Sequence, residues 1–223
     1  MNESPSTGAD VLADTVTQTH AVLQARLRSA ETSRPTSGRP RAALSAADPF
    51  LASTSRHVAA ANAVLAPAAR RHLDQGQQHA HALALQSKRL EIALSQLKAK
   101  LYGSTFVVRR PWAGIWEEIE RELAALRTLE LELVDRLAAV TDEHLRSDLA
   151  EQLYRTEKRV PTRPHPYLPH HGLTGRLARR CALLVDRFWD TAEGRMVPEP
   201  VRPHRGREGR LAQYLLADPH FPG

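Results

Sequence analysis

Glu130 and His57 are the residues whose types and surroundings pose a chemical question. Glu130 stands four residues after Leu126, on or beside an apolar stripe of Ile115, Ile119, Leu126, Leu129, Leu133 and Leu137. A carboxylate on such a stripe requires an arginine, a solvated edge or a metal. His57 lies inside another apolar stretch, in line with Ala61, Val64 and Ala68. A lone histidine there is more often a hydrogen-bonded core residue than a ligand. Glu91 is placed near the inner stripe of a third long segment, with Arg89 and Arg127 close by in sequence. Carboxylates and histidines projecting inward from facing helices are how di-iron bundles are assembled, so metal binding and plain ion pairing both fit these residues.

Other reactive side chains carry less. His165, His170 and His171 fall in a proline-rich segment with no rigid scaffold, where a solvated loop is the simpler reading. His79 and His81 point to opposing sides of a helix start. Cys181, the single cysteine, reads as a buried structural thiol before it reads as a nucleophile. The sequence holds no glycine-rich phosphate loop and no CxxC, GxSxG or HExxH pattern.

The elements that must position these residues are helical. Pro111–Val140 reads as one long amphipathic helix, with proline in its first turn and Glu117, Glu118, Glu120 and Glu122 near the positive end of its dipole. Asp48–His72 opens with an N-cap and a proline and carries Pro67 inside its pattern. His79–Tyr102 has the stripe Leu83, Leu90, Leu94, Leu97 and Leu101 and stops at Gly103. A further helix restarts at Thr141 to Glu143 and runs to about Arg159 on Leu145, Leu149 and Leu153. Ahead of these, Ala9–Glu31 repeats Leu12, Val16, Leu23 and Leu27 and is expected to dock loosely, beyond a linker at Thr32–Arg41. After them, Val160–Gly172 holds four prolines and should run extended, delivering a helix at Leu173–Arg195. The expected organisation is a flexible N-terminal region with one helix at 1–47, a helical bundle domain at 48–195 and an irregular C-terminal tail at 196–223.

The net charge is +6 with a pI near 10.0. Val160–Gly223 holds ten basic and six acidic residues, whereas Asp48–Arg159 is almost balanced at sixteen and fifteen. Few aromatics sit among the arginines, so a stacking platform for nucleic acid is not expected. No run is long enough to cross a bilayer, no basic and apolar leader opens the chain, and one cysteine suits a reducing compartment. A cytoplasmic protein without membrane or nucleic-acid partners is expected.

The stretches FLASTSRHVAAANAVLAPAARR, RLEIALSQLKAKLYGS, LAALRTLELELVDRL, and RPHPYLPHHGLTGRLARR with DRFWDTAEGR resemble the hemerythrin-like, HHE cation-binding helical bundles, particularly divergent actinobacterial members. The resemblance spans about Asp48 to Arg195. It implies an all-α, up-down four-helix bundle, here with an additional N-terminal helix and a C-terminal helix after the proline-rich segment. It also implies a metal site in which His57 matches the first-helix histidine. The family's following His-x3-Glu is met by Leu126 to Glu130, with leucine at the histidine position. For the family's last ligands, His144 and Asp148 are the available pair.

Two readings follow. In one, the metal site is degenerate, no cofactor is bound, and the bundle is a non-enzymatic binding or regulatory module that meets a protein partner or a second copy of itself. In the other, His57 and Glu130 hold iron or another cation, with a role in oxygen, nitric oxide or metal handling. Neither assigns a catalytic residue. A metal-free core predicts that Leu126→Ala costs about 2–5 kcal/mol and that Glu130→Gln costs much less.

Overall fold

The computed structural model describes residues 10–33, 42–101, 109–160 and 198–203. Among them are five helices and no strand: α1 (Val11–Thr32), α2 (Ala42–His72), α3 (Gly76–Leu101), α4 (Trp112–Val140) and α5 (Glu143–Glu157). The expected helix at Leu173–Arg195, the proline-rich stretch from 161 onward, Cys181 and most of the linker lie outside the described residues.

Local signals set most of these boundaries. Asp10 caps α1, its carboxylate accepting from the amides of Leu12 and Ala13 at 2.9 and 3.3 Å. Pro111 occupies the N-cap position of α4 in extended conformation. At its far end, the amide and hydroxyl of Thr141 both donate to the Leu137 carbonyl, and Asp142 then caps α5 by accepting from the Leu145 amide at 2.8 Å. Between α2 and α3 the chain reverses at Gln75, which has φ of 55°. Gly76 follows so closely on the end of α2 that a Cβ there would lie 2.1 Å from the Ala69 carbonyl oxygen. Only glycine fits without moving backbone.

Two expectations change. The second helix begins at Ala42, not Asp48, and carries Pro49 as well as Pro67 inside it. Ala42, Ala43, Leu44, Ala46 and Ala47 are strong helix formers, and they extend the helix through a proline that reads as its start. The first helix is not loosely docked. Leu12, Val16, Leu23 and Leu27 are buried in the same core as Phe50, Leu65, Leu90, Ile119 and Leu126. α1 packs against α2, α4 and α5, while α2 touches all four other helices. Arg146 of α5 lies 2.8 Å from the Asp10 carboxylate, fastening the start of α1. No helix among the described residues is long and apolar enough to cross a membrane.

Candidate metal centre

Four helices each contribute one ionisable side chain to a single buried cluster. His20 comes from α1, His57 from α2, Glu130 from α4 and Glu157 from α5, and all four are buried. Each occupies a place in the apolar stripe of its helix. His20 stands four after Val16 and three before Leu23; Glu130 stands four after Leu126 and three before Leu133; Glu157 stands four after Leu153. Helical spacing of three and four therefore aims them at the centre.

They meet in one network. Oε2 of Glu130 lies 2.9 Å from Nε2 of His20 and 2.9 Å from Nε2 of His57. Nδ1 of His57 is 2.8 Å from Oε1 of Glu157. The two imidazoles stand edge to face with centroids 5.0 Å apart. Two atoms of this network, Nδ1 of His20 and Oε1 of Glu130, are buried without a hydrogen-bond partner.

The electrostatics follow from burial opposed by pairing. Burial alone would lower the His57 pKa, but the Glu130 charge and the hydrogen bonds to Glu130 and Glu157 outweigh it and raise the group to about 10. Burial alone would raise Glu130, but the His57 charge and the hydrogen bonds from both histidines bring it to about 2. In this state His57 is an imidazolium that donates from both ring nitrogens to two carboxylates.

The same side chains can hold a cation. Ligand atoms of His20, His57 and Glu130 all lie within 4.8 Å of one another, and among the described residues this is the one group of three or more His, Cys, Asp or Glu so placed. Two imidazoles and a carboxylate form a donor set suited to a divalent first-row transition ion. One such ion balances two carboxylates with both imidazoles neutral. The residues fit a single ion, and no second set of ligands is found among the described residues.

Of the residues singled out in the sequence, His57 and Glu130 do come together. Leu126 is buried one turn before Glu130, facing the core. Glu91 is buried on α3, outside this cluster. His144 and Asp148 form a 3.4 Å pair with side chains 88% and 56% exposed, so they are surface groups outside this cluster. His20 and Glu157 are the members that sequence reasoning missed. The available signal was their position in the stripes of α1 and α5. No protein-family model, curated protein or solved structure matches this chain.

Proposed function

We propose that this chain is a cation-binding helical bundle in which His20, His57 and Glu130 hold one divalent first-row transition ion. The observation that carries the reading is that two imidazole Nε2 atoms converge on a fully buried carboxylate whose second oxygen has no partner. An ion at this place would take over the role of the shared protons and offer that oxygen a partner. Because the ligands come from α1, α2 and α4, the ion would tie the N-terminal helix to the body of the protein. A binding or regulatory role suits such a site better than catalysis, since its ligands have side-chain exposure of only 0–1%.

The hemerythrin-like architecture belongs to this proposal. The pairings α1 with α2, α2 with α3, α3 with α4 and α4 with α1 support a four-helix ring, with α5 across α1 and α2. That ring includes α1, which the sequence reading left outside the bundle. The lone Cys181 supports a reducing, cytoplasmic setting.

A second reading is the metal-free one, favoured by a specific observation: His57 already has a carboxylate on each ring nitrogen. Metal analysis of the full chain purified without a histidine tag separates the two. The cation reading expects about one ion per chain, removed by chelator and absent from His20→Ala. Protein that contains no stoichiometric metal and shows no thermal shift on addition of Fe(II), Zn(II) or Co(II) would leave the metal-free bundle as the function.

A further inference from the structure

Glu157 is not among the three proposed ligands, yet it sits where a carboxylate is costly. It is the last residue of α5, at the negative end of the helix dipole, and it is buried. A residue chosen for stability alone would be apolar there, as Leu149 and Leu153 are in the preceding turns of the same stripe. Glu157 instead spends its Oε1 on Nδ1 of His57 at 2.8 Å. That leaves the other ring nitrogen, Nε2, aimed at Glu130 and at the neighbourhood of His20.

We infer that Glu157 is the positioning residue of this centre: it holds the His57 ring by Nδ1 so that Nε2 is the atom presented to the ion. The inference rests on the metal-binding reading above. A carboxylate on the distal nitrogen of a ligating histidine fixes its tautomer and orientation and raises its basicity. The surroundings of Glu157 maintain its place. Arg26 of α1 lines the same small pocket and interacts with the Glu157 charge, which partly offsets the lowering of the Arg26 pKa by burial. Pro198 and Val201 also line that pocket, and Arg56 of α2 donates to the Pro198 carbonyl at 3.1 Å. The 198–203 segment thus meets the centre at Glu157.

The test uses the full chain, metal-free, titrated with Co(II) and followed by visible ligand-field absorption. Glu157→Leu should weaken Co(II) binding about 10–100-fold. Glu157→Gln, whose amide oxygen still accepts from Nδ1 without the charge, should fall between wild type and Glu157→Leu and shift the absorption band. Helical content and the melt of the metal-free variants are recorded alongside, because a purely structural role would lower the melt and leave the band of the bound ion unmoved. Wild-type affinity in Glu157→Leu, or an affinity of Glu157→Gln no better than that of Glu157→Leu, overturns the role of Glu157 while leaving the site intact. Wild-type protein that gives no Co(II) spectrum overturns the metal-binding reading itself, and the positioning role with it.

Discussion

His57 is held by two carboxylates, and its acid–base behaviour sets the first expectation. Its folded pKa is raised from 6.5 to about 10, so the stability it contributes is fully present below pH 6.5 and is lost as pH rises towards 10. Glu130 is depressed from 4.5 to about 2, so its contribution is present above pH 4.5 and is lost as pH falls towards 2. In chelator, the contribution of this pair should therefore be largest between pH 4.5 and 6.5. Denaturant midpoints measured across that range check it. His57→Gln should flatten the alkaline side. Protein loaded with a divalent ion should behave oppositely in the mildly acid range, gaining stability as pH rises, because the ion competes with protons for imidazole. The same pair revises the sequence-based expectation for Glu130→Gln. Removing the charge opposite a buried imidazolium should cost about 3–5 kcal/mol even without metal, comparable with the roughly 2–5 kcal/mol for Leu126→Ala. Stability alone no longer separates the two readings; metal content does. His57 and Glu130 were legible because each interrupts an otherwise apolar stripe near mid-helix. His20 and Glu157 were not, because the repeat of α1 is carried by Leu12, Val16, Leu23 and Leu27 and that of α5 by Leu145, Leu149 and Leu153, and the polar residues between and after them do not announce themselves. Whether a polar residue in a stripe faces a partner depends on the neighbouring helix, and sequence spacing is silent on that.

At the scale of the elements, α1 is the one whose role the sequence understated. Its apolar repeat was legible to within two residues, but a repeat of this kind reports that a face is buried, not how firmly. Leu23 is almost fully enclosed, so Leu23→Ala should cost about 2–5 kcal/mol, measured by urea unfolding; a loss under 0.5 kcal/mol would mean that α1 is peripheral after all. The turn between α2 and α3 supplies a second expectation. Gly76→Ala would bring a methyl group against the Ala69 carbonyl, and the backbone shift should destabilise by about 1–3 kcal/mol with little effect on metal content, since the turn contributes no ligand. The early start of α2 escaped the sequence for a plain reason. Asp48-Pro49 has the form of an opening, yet the alanines before it already favour helix, and Pro49 is carried inside α2.

For the molecule as a whole, the described helices share one core to which all five contribute. The all-helical class was legible because long segments repeat at three and four with capping residues between them. The order of packing was not, since nothing in a stripe says which neighbour it will meet. The cation reading makes a global expectation. An ion that binds only the folded chain should stabilise it by about 2.7 kcal/mol when present at a hundred times its dissociation constant, and the gain should disappear in chelator and in His20→Ala. A melt unmoved by Zn(II), Fe(II) and Co(II) would rule out that coupling.

The pairing of His20 with Glu130 joins residues 110 apart in the chain. On the ribosome, His20 and His57 both leave the exit tunnel before either carboxylate of the network has been made. At about 5–20 residues per second, the first histidine waits roughly 5–20 s for Glu130. During that interval the inner face of α1 has neither its apolar neighbours from α4 nor its polar one. The network therefore closes only once α4 and α5 have been made. Of the described helices α1 is made before the others, yet its inner face is secured only after α4, which makes the nascent chain, more than the folded protein, the stage at which a chaperone or a premature ion would have access to the histidines.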